Sequence, residues 1–372
     1  GSGAVTMEYD SQETIYRKFF EELGSAIDVL TAFNQAQPST KVLEAYDNVF
    51  NGDVGKWVKF ANTLRLRLAL RVVYADNALA MEQAEASLNH TIGVMTEAGD
   101  LAALHKPAAG AWEYPLYTIQ YTFDDARISA TIETYMNGYA DPRRAKYFTA
   151  GSDGNYHGVR NGIEINANYA SSGLLSRINC TVNDDITWMS PAEAWFLKAE
   201  YWLRKGDKSQ ARSCYEEGIR VAFSTSGVSG ADGYIADTEN TPGTFTDVVN
   251  GGNSYNNKLT DVTVAWSDGA GFEKNLERII TQKYIAIYPE GQEAWSEFRR
   301  TGYPKVIPYN VNRSNGAIDT QRQIRRLNWP STEYRTNAAN VNAAVSVLNR
   351  ESSLPNGDNG GSRLWWDKNT RF

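Results

Sequence analysis

Cysteine is almost missing from this chain, which has Cys180 and Cys214 and no other. Two thiols in unrelated contexts support neither a disulfide framework nor a zinc site, so unpaired, partly buried thiols are expected. Histidine is nearly as scarce. His90, His105 and His157 are scattered, and none stands at metal-ligand spacing from another His or a Cys. No run approaches the ~18 apolar residues of a membrane span. Basic residues are the minority: 37 Lys and Arg against 44 Asp and Glu leave a net charge of −7. That balance argues against a general nucleic-acid or anionic-membrane surface, both of which reward a basic face. Catalytic signatures are missing too, with no Gly-x-Ser-x-Gly elbow, no phosphate loop and no Gly-x-Gly-x-x-Gly. Their absence is informative without being decisive, because catalytic groups converge in space from distant positions.

What is abundant is aromatic. Rings make up 12% of the 372 residues, with 10 Trp and 21 Tyr, against a hydrophobic fraction of 42% and a charged fraction of 22%. The bulk numbers describe a globular chain long enough for a sizeable core. The surplus of amphipathic rings points to some facing solvent or a ligand.

Helical periodicity dominates. Ile15, Phe19, Leu23, Ala26 and Leu30 predict one helix face, and Trp57, Phe60, Leu64 and Leu68 predict another with Asp53 as its cap. Arg65, Arg67 and Arg71 fall off that second stripe and read as partners of neighbouring helices. Ala192 to Arg204, a break at Gly206-Asp207, and Ser209 to Ala222 reproduce much of the tetratricopeptide pattern, with Ala199, Leu203, Gly206, Ala211 and Tyr215 at its positions. Asn62 to Leu88, broken near Ala75-Asp76-Asn77, is a weaker second pair. Ile279 to Arg299 with a later helix near Thr332 to Leu348 would be a third. Asp141-Pro142-Arg143-Arg144 reads as a helix start. The expected fold is mainly α: tetratricopeptide-like pairs forming a scaffold, with long loops and minor short β-hairpins on one face.

The polar stretches 105–124, 149–187, 224–272 and 306–322 are the predicted loops, long enough to suggest function. Adjacent carboxylates there, Asp124-Asp125 and Asp184-Asp185, point to opposite sides of an extended chain and make no ready acid/base couple. Capping, solvated turns or a structural calcium ion suit them better; no other cofactor is implied. Glu193 and Glu200 read as structural, Glu200 pairing with Arg204 one turn on. The loop rings are the sharper signal, since a sugar lays its C–H faces on aromatic rings while nearby amides and charges take its hydroxyls. The candidate ligand-binding residues are Trp112, Tyr114, Tyr117, Tyr156, Tyr255 and Trp266, with no catalytic and no metal-ligating residue. Trp57, Trp195, Trp202 and Trp295 sit in helical periodicity and read as core.

Four distant segments together resemble one family. They are Gly52-Asp53-Val54-Gly55-Lys56-Trp57 with Asn62 to Arg71; Ser190-Pro191-Ala192-Glu193-Ala194-Trp195; Arg299-Arg300-Thr301-Gly302-Tyr303-Pro304; and Trp329-Pro330, Glu333-Tyr334, Asn337 and Leu364-Trp365-Trp366-Asp367. In combination they are similar to the SusD/RagB-like lipoproteins of Bacteroidetes. The resemblance implies one SusD-like domain over residues 1–372, with 190–223 as its clearest tetratricopeptide-like pair and 224–272 as a long ligand-side loop region. It implies a secretion signal, a lipid-bearing Cys and an opening stretch ahead of Gly1, and a place on the extracellular face of the outer membrane. The implied partners are an oligosaccharide or polysaccharide and a SusC-like TonB-dependent transporter, with membrane attachment through a lipid anchor alone. Trp365 and Trp366 would pack on the scaffold. The implied activity is non-catalytic glycan capture for nutrient uptake. A tetratricopeptide-type interaction or lid protein with a peptide ligand or none is a second reading, and a helical glycoside hydrolase is a third.

Overall fold

The computed structural model describes residues 6–107, 112–351 and 357–372. Three helices open it: α1 (Gln12–Ala36), α2 (Val54–Arg71) and α3 (Asn77–Leu88). The strand β1 (Ala102–Leu104) and four short helices follow, α4 (Pro115–Tyr117), α5 (Ala130–Gly138), α6 (Arg144–Tyr147) and α7 (Ala167–Ser171). The strand β2 (Ile186–Met189) leads into α8 (Pro191–Arg204), α9 (Lys208–Thr225) and the one-turn α10 (Ala231–Ile235). Next come α11 (Phe272–Ala286) and α12 (Gly291–Thr301), then α13 (Ser331–Thr336) and α14 (Ala338–Glu351). Strands β1 and β2 pair antiparallel, Leu104 opposite Ile186, as the single sheet among the described residues. Mainly helical architecture is therefore what the structure shows.

Local chemistry sets the breaks. Asp53, Asp76, Ser190 and Asp207 each accept a backbone N–H of the following first turn, which satisfies donors a helix start leaves orphaned. Gly206, at φ +83°, turns the chain out of α8 and into α9. The α8–α9 hairpin is tight. A Cβ on Gly218 would stand 3.0 Å from the Phe196 ring, so only a bare backbone lets these helices approach so closely.

Two clusters hold most of the core. One joins α5, α8, α9 and α11 through residues such as Tyr135, Phe196, Tyr215 and Ile279. The other joins α1, α2, α3 and α8 to Trp365 and Trp366, which are buried. Between them lies a buried ion network. Arg67 grips Glu193 at 2.8 and 2.5 Å, Arg71 reaches Glu293 at 2.7 Å, and Lys283 bridges Glu193 and Glu293 at 3.2 and 2.9 Å. Arg300 holds Glu200 at 2.6 Å and also pairs with Glu297, while Arg204 closes on Glu200 at 2.7 Å. Arg65 instead donates to Gln83 of α3 at 2.8 Å. The arginines of α2 are thus inter-helix partners.

Several predicted details differ. On α1 the buried line is Phe20, Ile27 and Thr31, not the stripe through Phe19, which is 43% exposed. On α2 the sealed positions are Val58, Asn62, Leu66, Ala69 and Leu70, and Trp57, Phe60, Leu64 and Leu68 lie on the half-buried flank. Both helices carry apolar residues on more than one face, and packing partners choose between them. The run Ile279 to Arg299 is not one helix, because Tyr288-Pro289 separates α11 from α12. Asp141-Pro142-Arg143-Arg144 starts a helix of a single turn, with Asp141 bound to Arg143 at 2.6 Å. Trp57 and Trp195 sit half-buried at cluster edges and Trp295 half-buried against Arg299, each donating its indole N–H: to Asp47, to the Thr96 carbonyl and to the Ile324 carbonyl. Cys180 is half-buried and Cys214 buried, both as free thiols.

Candidate functional site

The loops at one side of the scaffold enclose a cleft of about 950 Å³. Its walls come from residues 124–129, 159–170 and 309–318, segments far apart in sequence. The α5 start positions the first two. Val159 N–H donates to the Ile128 carbonyl at 2.9 Å, and Ala130 N–H donates back to the Val159 carbonyl at 2.9 Å. Gly158 passes so close that a Cβ there would meet Ala130 N at 2.7 Å.

Arg160 ties the walls together. Its guanidinium donates to the Pro308 carbonyl at 2.8 and 3.0 Å and to the Asn253 and Ser254 carbonyls at 3.1 Å each. Burial lowers its pKa, but a guanidinium stays charged, so four hydrogen bonds to three carbonyls replace its lost water. Beneath the cleft Tyr169 Oη donates to Asp247 at 2.8 Å and accepts from Asn253 at 2.6 Å, and Asn310 donates to Asn253 at 2.9 Å. The buried Tyr169, Asp247 and Asn253 fix the floor, with Asn310 closing the chain at the surface.

Gly162 sets the opposite wall. Its carbonyl accepts from Asn310 and Val311 at 2.9 and 2.7 Å, its φ is +68°, and an added Cβ would fall 2.7 Å from Tyr309. The Tyr309 ring therefore lies across a bare glycine, half-buried, with burial raising its phenol pKa. Around it stand the exposed amides Asn161, Asn166 and Asn312, the exposed acids Asp124 and Asp125, and the apolar Ile165, 70% exposed. A ring face, an aliphatic flank and amides within one concave wall can hold a polyhydroxylated ligand.

The six rings singled out from sequence stand elsewhere, and no two of them are ring neighbours. Tyr255 comes nearest to the cleft, its ring 5.5 Å from the Arg160 guanidinium and thus behind the wall. Trp112, Tyr114 and Tyr117 share one segment. Trp112 lies half-buried with Lys106 6.0 Å over its ring, and Tyr117 faces Tyr121 at 5.0 Å. Tyr114 is 9% exposed, and burial pushes its phenol up to about 12. Tyr156 packs on Phe148 and under Arg144, and Trp266 packs on Tyr215 while donating to Asp268 at 3.1 Å. Both lean on the α5–α8–α9–α11 core. What sequence reasoning passed over is Tyr309 with Asn310 and Asn312 in the 306–322 loop, and Asn161-Gly162. The Asn density of those two stretches was the available signal.

Three of the paired acids, Asp124, Asp184 and Asp185, are engaged locally. Asp124 pairs with Arg127 at 2.9 Å and with Arg177, and these hold its carboxyl below the usual range. Asp184 accepts from Thr181, and Asp185 from His105 at 2.7 Å and from Lys106 N–H. Among the described residues no group of three or more His, Cys, Asp or Glu is placed to hold a metal ion.

A family model described as SusD-like, the Susd and RagB outer membrane lipoproteins, matches residues 1–367. The chain belongs to this family. A chitin-binding SusD homologue from Flavobacterium johnsoniae is 41% identical, with TM-score 0.91 over 100% of this chain and 75% of its own. A SusD homologue from Bacteroides uniformis is 38% identical, with TM-score 0.90 over 98% of this chain and 75% of its own. One from Bacteroides thetaiotaomicron is 38% identical, with TM-score 0.89 over 98% and 76%. No curated protein sequence matches. Among the described residues no helix is long and apolar enough to cross a membrane.

Proposed function

We propose that this SusD-like chain is a non-catalytic glycan-binding subunit, held on the outer face of the outer membrane by a lipid anchor and working with a SusC-like TonB-dependent transporter in nutrient uptake. The observation that carries the reading is the match over the whole chain to a homologue described as chitin-binding, at 41% identity. The cleft supports it, since Tyr309 offers a platform and Asn161, Asn166 and Asn312 offer hydroxyl partners. Trp112 and Tyr117, together with Tyr156, Tyr255 and Trp266, are proposed as further platforms, with the buried Tyr114 supporting the segment that carries the first two. The engaged state of Asp124, Asp184 and Asp185 supports binding without hydrolysis, which needs two carboxyl groups about 5–10 Å apart and free to trade protons.

Affinity electrophoresis and calorimetry against a panel of chitin, plant and host oligosaccharides test the reading. Retardation or saturable heat with one class names the ligand. No response to any sugar overturns the glycan assignment in favour of the interaction-protein reading.

A further inference from the structure

A second concavity, about 880 Å³, lies between α8, α9 and residues 88–96, and it shares no lining residue with the loop cleft. Its long wall is one face of α8, where Trp195, Lys198 and Trp202 follow at spacings of three and four, each half-buried. Among the described residues three cations line it. Lys59 is held by Asp100 at 2.9 Å and Arg220 by Asp232 at 2.9 Å. The Lys198 ammonium has no carboxylate within 4 Å and makes no hydrogen bond among the described residues. It lies 3.7 Å over the Trp195 ring, which keeps the side chain on the wall. Burial lowers its pKa, and only the buried Cys214 thiol opposes the shift. Such a charge has lost water without gaining a counter-ion. The acids of the groove are occupied elsewhere, Glu216 by Arg212 at 2.7 Å and Glu217 by Arg220 at 3.5 Å.

A second donor stands beside Lys198. Trp195 donates its indole N–H to the Thr96 carbonyl, whereas the indole N–H of Trp202 has no partner among the described residues. Residues one helical turn apart have Cβ atoms about 5–6 Å apart, so Lys198 and Trp202 can reach the two oxygens of one carboxylate. Asn89, Gln210 and Ser213 add exposed amides and a hydroxyl around the rim. We propose that this groove is a binding site for an acidic saccharide, with a uronate carboxylate on Lys198 and Trp202 and hydroxyls on Asn89, Gln210 and Ser213. A neutral sugar would leave the Lys198 charge uncompensated. An acidic peptide fits less well, since its backbone groups would lie along α8 and α9, whose main-chain donors and acceptors are already paired within each helix. The site is additional to the loop cleft and does not depend on which sugar the cleft takes.

Calorimetry on the protein tests this with an oligogalacturonide and a glucuronate-containing oligosaccharide, against a neutral oligosaccharide of equal length. Saturable binding of a uronate is expected, weakening between about 50 and 300 mM salt because an ion pair carries it. Lys198→Met keeps an apolar stem on Trp195 and should lower uronate affinity about tenfold or more, while Lys198→Arg retains most of it. Trp202→Phe, which keeps a ring and removes the N–H, should lower it severalfold. Thermal melts confirm that each variant folds. A neutral sugar that binds the loop cleft should bind Lys198→Met as tightly as the parent, so the two sites stand or fall separately. No uronate binding, binding indifferent to Lys198→Met, or uronate binding lost on Tyr309→Ala, which would place the acid in the loop cleft, would each overturn the proposal.

Discussion

Tyr309 and Glu133 show what single side chains do here. Tyr309 presents a ring because Gly162 leaves room for it, so Tyr309→Ala removes a platform without opening the core. Oligosaccharide affinity is expected to fall by about 10- to 100-fold, equivalent to about 1–3 kcal/mol for a central aromatic anchor, with the melting temperature nearly unchanged. Calorimetric titration measures both the loss and its selectivity. Glu133 poses a different question. It lies in the first turn of α5, accepts from Gly158 N–H at 2.7 Å, and is faced by His157 at 3.9 Å, by Asn137 and by Asp247. Burial pushes its carboxyl up to about 8. The folded state therefore holds a proton that the unfolded chain releases near the ordinary carboxylate pKa. Stability from this group is fully present below about pH 4.5 and is lost as pH rises toward 8. Glu133→Gln should melt higher than the parent at pH 8–9, by on the order of 2 kcal/mol, and equally at pH 4–5. Parallel melts across that range decide it.

At the scale of the elements, stability is concentrated where α2, α8, α11 and α12 meet. Their contact surface is not purely apolar. Glu193, Glu200, Glu293 and Glu297 are buried among Arg67, Arg71, Lys283 and Arg300. Such a network adds little over a hydrophobic core, but breaking it is costly because the remaining charges stay buried. Arg300→Met leaves Glu200 and Glu297 without their shared partner and should destabilise by about 3–5 kcal/mol, read from urea unfolding. Acid should act on the same place. Burial alone would raise the Glu193 carboxyl, yet Arg67 and Lys283 hold it down at about 2. Its contribution is complete above about pH 4.5 and drains as pH falls toward 2, so acid unfolding should begin in that interval. The arginines of α2 were readable as inter-helix partners, because they fall off the apolar stripe. Their partners were not, since Arg67 meets Glu193 across 126 positions and Arg71 meets Glu293 across 222.

For the molecule as a whole, binding and catalysis make opposite predictions with the same reagent. An oligosaccharide that the binding panel selects, at 100 times its Kd, should add about 2.7 kcal/mol to stability, which shows as a shift of a few degrees. Prolonged incubation should release no new reducing ends. Product release detected by chromatography would contradict the binding-protein reading, and absence of any thermal shift with every sugar of the panel would contradict glycan binding.

The sequence by itself determined most of the helices, some of their breaks, though not the one between α11 and α12, and the family, because those depend on neighbours a few residues apart and on motif order. The Asp53 cap acts locally, and so it was legible, as were the breaks at Ala75-Asp76-Asn77 and Gly206-Asp207. Tertiary structure decided which face of α1 is buried, since Phe19 and Phe20 are both apolar and only the packing of α2 separates them. It also divided the aromatic residues between core and surface: a Tyr or Trp serves either place, and Tyr114 went inside while Tyr309 came to line a cleft. That cleft is built from three segments far apart in sequence, joined by Arg160 and the Tyr169–Asn253–Asn310 bonds. No periodicity encodes such a meeting, because it arises from side chains satisfying one another only after the scaffold has brought their loops together.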